Sequence, residues 1–122
     1  MPATLFEKYG GFSSVSRIVM TFYDKVLDSE RIGDFFDNVD MPRLIDHQTK
    51  FVSFLLGGPA SYSEDRLRRA HASLHLTNED FDEVARLLRE TLDEHGFDTE
   101  DVRAVMTEIE MRRTTILAGT PR

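Results

Sequence analysis

Apolar side chains recur three and four residues apart along most of this chain, the spacing that lines one face of a helix. Leu5, Phe6 and Tyr9 predict a short first helix ended by Gly10-Gly11, residues suited to turns and caps. Val15, Ile18, Val19, Phe22, Tyr23 and Val26 mark a second helix, and a short turn with Ile32, Phe35 and Phe36 follows. Asp40 before Met41-Pro42 reads as an N-cap with proline just inside the helix start. That helix runs through Leu44, Gln48, Phe51, Leu55 and Leu56 until Gly57-Gly58-Pro59 stops it. A loop to about Ser63 leads to a short helix near residues 66–72. Thr77 caps a long amphipathic helix with Phe81, Val84, Leu87, Leu88 and Leu92 inward, closed by Gly96. Thr99 opens the last helix, with Val102, Val105, Met106, Ile109 and Ile116 on one face. No segment alternates as a strand does, so the class is all-α. Without repeats or linkers, residues 1–122 read as one domain.

Composition narrows the function classes. A net charge of -7 argues against a nucleic-acid partner, whose phosphates reward basic surfaces. No stretch approaches the roughly 20 apolar residues of a membrane span. The start, MPATLFEKYGG, lacks the basic region and apolar run of a signal peptide, so the expected location is cytoplasmic. There is no cysteine. Disulfides, thiolate-held iron–sulfur clusters, cysteine zinc sites and covalent C-x-x-C-H haem attachment are therefore excluded. A metal here must use histidine, methionine or carboxylate, and the only histidines are His47, His71, His75 and His95.

Several residues invite a closer reading. Leu44, Gln48, Phe51 and Leu55 form one helical stripe, and a glutamine inside it costs desolvation unless it has a partner. His47 stands at the border of that stripe. Tyr23 follows Phe22 on an apolar face, where a core-edge tyrosine with its hydroxyl reaching water is the ordinary reading. Taken alone, His71 is a surface or capped histidine. Phe35, Phe36, Phe54, Leu67 and Val84 would serve any helical core. His95, before Gly96 at a helix end, suits the helix dipole.

Together, "TFYDKVL" at 21–27, "FF" at 35–36, "DMPRLIDHQTKF" at 40–51, "LLGGP" at 55–59 and "AHASL" at 70–74, in this order, resemble the group I truncated haemoglobins. The resemblance runs from about Leu5 to Leu117. It implies a two-over-two helical sandwich around one haem b, with the proximal histidine at His71, also the metal ligand. The distal tyrosine falls on Tyr23 and the haem-wedging phenylalanine on Phe36, while Leu44, His47 and Gln48 fall on the distal helix. Phe51, Tyr62 and Leu67 join the cofactor contacts. Arg43, Lys50, Arg66, Arg68 and Arg69 stand near the pocket rim, where haem propionates need charge-assisted partners. The chain departs from the family at Ser73-Leu74-His75, where a glycine is common.

The resemblance implies binding of O2, NO or CO, with Tyr23 and Gln48 as hydrogen-bond donors to the ligand. The same pocket suits NO dioxygenation, which needs a reductase as electron donor. The resemblance also implies His47 as a second metal ligand: in some truncated haemoglobins a histidine at the matching place closes the iron when no gas is present, so a bis-histidine iron is expected without exogenous ligand, and a permanently closed one would give a redox or gas-sensing protein. A third reading is a haem-free helical phosphotransfer module, since "HQTKF" loosely resembles such a histidine site, although Phe51 and Val52 stand where that family has small residues.

Overall fold

The computed structural model describes residues 4–61, 63 and 76–117, and every element among them is helical. The first helix, α1 (Leu5–Lys8), starts where the Thr4 side chain accepts from the Glu7 amide at 3.2 Å. Gly10, at φ 107°, makes the tight joint to α2 (Gly11–Asp28). The second glycine of the pair thus belongs to the second helix rather than to the end of the first. A 3-10 turn, Gly33–Phe36, follows. Helix α3 (Met41–Leu55) opens as its sequence predicts, with the Asp40 carboxylate accepting from the Arg43 amide at 3.2 Å.

Helix α4 (Asn78–Glu94) carries a full capping box: Thr77 accepts from the Asp80 amide at 3.1 Å, and Asp80 accepts from the Thr77 amide at 3.0 Å. The expected single last helix is two, α5 (Thr99–Met111) and α6 (Arg113–Leu117), with Ile116 on the second. Arg112 stands at the break. Its guanidinium donates to the Glu108 carbonyl at 2.8 Å, the acceptor its own amide would use in a continuing helix. The Arg112 amide instead donates to Ile109 at 3.0 Å.

Helix α2 is central. It packs on α3 along one side and on α4 along another, while α4 packs on α5. This gives two pairs, α2–α3 and α4–α5, meeting through α2. Val15, Ile18, Val19 and Val26 are buried at that meeting, with Leu92 from α4 and Val105 from α5. The α1 backbone is tied to the end of α3 by the Phe6 amide donating to the Leu56 carbonyl at 2.9 Å. Gly58 makes that approach possible, because a Cβ there would stand 2.6 Å from Phe6 Cδ1. Among the described residues no helix is long and apolar enough to cross a membrane.

Candidate functional site

The crossing of α2 and α3 sets a phenol against an amide. Tyr23 comes from the inner face of α2 and is only 6% exposed. Two rings hold it edge-on: Phe22 at 4.9 Å and 70°, and Phe36 of the 3-10 turn at 5.8 Å and 71° between centroids and planes. Burial raises the pKa of the hydroxyl far above the ordinary 10.0, and a hydrogen bond with the Gln48 side chain of α3 opposes that shift. An amide can either donate to a phenol oxygen or accept its proton.

The rest of the α3 stripe is apolar. Leu44, Phe51 and Leu55 are half-buried and packed on the core beside Phe36 and Phe22. The result is an apolar wall with one polar pair set in it. Phe22 was legible in the sequence only as core; its role in holding the Tyr23 ring emerges from the edge-on geometry. His47, next to Gln48, is exposed on α3 and lies off this wall.

Two of the rim cations differ in their partners. Lys50 pairs with Asp46 at 3.2 Å within α3. Arg43 is exposed and has no ion pair among the described residues. His95 caps α4 as its sequence position suggests, its Nδ1 lying 2.9 Å from the Thr91 carbonyl. It stands apart from Tyr23 and Gln48, at the end of another helix. His71, His75, Tyr62, Leu67, Arg66, Arg68 and Arg69, with the expected short helix near 66–72, lie outside the described residues.

The described residues thus place the buried Tyr23 phenol and the half-buried Gln48 amide beside an apolar stripe. Among the described residues no three His, Cys, Asp or Glu side chains gather as a metal site.

Residues 4–118 match the family of bacterial-like globins. A group 1 truncated haemoglobin of Tetrahymena pyriformis is 37% identical over 116 residues, covering 95% of this chain and 96% of the relative. The group 1 truncated haemoglobin GlbN of Synechocystis is 41% identical over 98 residues, 77% of this chain and 79% of the relative. Among solved structures, the Fe(III) form of the T. pyriformis truncated haemoglobin superposes with a TM-score of 0.86 at 36% identity, over 94% of this chain and 98% of that one. The cyanomet 2/2 haemoglobin of Synechococcus sp. PCC 7002, which has covalently attached haem, gives 0.87 at 34% identity, over 95% and 99%.

Proposed function

The chain belongs to the bacterial-like globin family, as a group 1 truncated haemoglobin, and on that premise we propose that it holds one haem b through His71 and binds O2, with NO and CO as alternative ligands, beside Tyr23 and Gln48. When bound, haem would supply an iron that His71 would hold by its neutral imidazole and that would bind the diatomic ligand. The carrying observation is the burial of Tyr23 between two rings, with the half-buried Gln48 beside its hydroxyl. The Tyr23 hydroxyl carries its proton at physiological pH, and a preorganised donor in an apolar site would stabilise the partial negative charge that O2 acquires. Phe36, Leu44 and Phe51 pack the macrocycle and keep water from the ligand, with Tyr62 and Leu67 as further contacts. Arg43, lacking an intrachain carboxylate among the described residues, is a cation for a propionate.

The same donor arrangement supports NO dioxygenation, in which NO, O2 and one electron give nitrate. The electron then comes from a reductase. The chain's acidic balance supports the reading without a nucleic-acid partner.

An absorption spectrum of the purified protein is the direct test. A Soret band is expected for the parent and for His95→Ala, and loss of stable coordination for His71→Ala. A normal ferrous spectrum in His71→Ala would overturn the proximal assignment. Acid–acetone should extract all the haem, because this chain has no cysteine to hold it. Haem left on the protein would refute the non-covalent assignment. The bis-histidine alternative brings the exposed His47 inward, which requires α3 to turn and Gln48 to leave Tyr23. The Tyr23–Gln48 contact favours the open, ligand-binding iron. A low-spin ligand-free ferrous spectrum that becomes high-spin in His47→Leu would reverse that preference.

A further inference from the structure

Helix α2 has a second face that the haem pocket does not use. Its inner side buries Val15, Ile18, Val19, Tyr23 and Val26. On the opposite side Ser13, Arg17, Met20, Asp24 and Leu27 are all exposed. Their spacing of four, three, four and three residues confines them to a sector of about 80°. Met20 is 52% exposed and Leu27 46%, two of the most exposed large apolar side chains described.

The two charges on this stripe are exposed and, like Arg43, have no ion pair among the described residues. Lys8, Lys25, Arg86 and Arg113 each meet two carboxylates. Arg17 reaches only the Ser13 hydroxyl, at 3.0 Å. Asp24 has no ion pair among the described residues. Seven residues, about 10.5 Å of rise, separate Arg17 from Asp24 and keep them from each other.

We propose that this stripe docks against the same stripe of a second copy of this chain. Around a two-fold axis at Met20 the two helices run antiparallel. Arg17 then faces Asp24 of the second copy, twice over, with Met20 against its own counterpart between them. Leu27 comes against Ser13 at each end. The order base, apolar, acid is its own complement when reversed, the property an isologous interface needs. A parallel pairing would set like charges opposite and is excluded by the same arrangement. One helix face is small beside the roughly 1,200–2,000 Å² of a stable interface, so the dimer is weak and concentration-dependent. Tyr23 points inward from the same helix, which leaves the ligand pocket clear of the contact.

Sedimentation equilibrium of the haem-loaded chain from micromolar to millimolar concentration tests this. A reversible dimer is expected. Arg17→Glu should weaken it roughly ten-fold by setting two like-charged pairs across the axis, and Arg17→Glu with Asp24→Arg should restore it. Met20→Cys supplies the chain's one thiol and should oxidise to a disulfide dimer faster than Thr107→Cys, which is exposed on α5. A monomer throughout, a dimer indifferent to Arg17→Glu, no rescue by the double exchange, or equal cross-linking at the two positions would each overturn the proposal.

Discussion

Tyr23 concentrates the protein's proposed chemistry in one hydroxyl, held by two edge-on rings and an amide. A hydrogen bond to a charged acceptor is worth about 1.5–3 kcal/mol. Tyr23→Phe should accordingly raise the O2 dissociation rate, by roughly 10-fold at the low end of that energy and 150-fold at the high end. The Gln48 amide remains as a donor, so the smaller effect is expected in stopped-flow measurement; an unchanged rate would remove Tyr23 from the ligand's surroundings. The raised pKa has a second consequence. The folded chain holds the Tyr23 proton where the unfolded chain releases it. Its contribution to stability is full below the ordinary value of 10.0 and is lost as pH rises above it. Phenolate absorbance at alkaline pH should therefore show Tyr23 ionising only together with unfolding. Ser53 is a contrasting case, fully buried with a hydroxyl that finds no partner among the described residues. Ser53→Ala removes an unsatisfied polar group, so the urea midpoint should hold or rise, by up to about 1 kcal/mol.

At the scale of elements, the caps and the glycine contact carry distinct costs. Thr77→Ala removes one half of the α4 capping box and should cost about 1 kcal/mol in urea unfolding, whereas Thr77→Ser should cost little. Asp80 is a more demanding position, since its buried carboxylate also meets Arg31 at 3.4 Å. Gly58→Ala would press a methyl group against Phe6 and, at 3.0 Å, against the Ser53 carbonyl. The strain falls on the α1–α3 junction and should destabilise by about 1–3 kcal/mol. A variant as stable as the parent would show that α1 yields freely there.

Across the whole molecule, ion pairs join segments distant in sequence. Lys8 meets Asp98 and Asp101 at 3.0 and 2.7 Å, and Tyr9 donates to Asp101 while stacking on Phe97. Lys25 on α2 meets Glu90 and Glu94 on α4 at 2.8 and 3.0 Å. Hydrogen bonds from Lys8 and Tyr9 lower the pKa of Asp101, Lys25 lowers that of Glu90, and Arg113 that of Glu110. Depressed carboxylates stabilise above their ordinary values of 3.8 and 4.5, and that contribution is lost as pH falls through the depressed ones. The same partners raise Lys8 and Lys25, whose contribution is present below 10.5 and lost as pH climbs through the raised values. The melting temperature should therefore be highest between about pH 4.5 and pH 10.0 and fall on both sides. These pairs are solvated, so added salt should flatten the profile. A profile that keeps its shape in high salt would assign the dependence to other groups.

Local signals in the chain were enough for the helices before residue 57 and for the one after Thr77, for the caps at Asp40 and Thr77, and for the family, because periodicity, capping chemistry and ordered motifs depend only on near neighbours. The stripe of Leu44, Gln48, Phe51 and Leu55 announced a wall and a glutamine in want of a partner. That the partner is Tyr23 depends on how α2 crosses α3, and no spacing within either helix encodes a crossing. The break at Arg112 was invisible in the spacing: its residues continue the helical pattern, while the Arg112 amide turns to the Ile109 carbonyl and the guanidinium takes that of Glu108. Charge pairing followed the same rule. Lys25 and Asp24 are adjacent in sequence, yet packing of α2 on α4 gives one two carboxylates and turns the other outward to the surface that a second copy would meet.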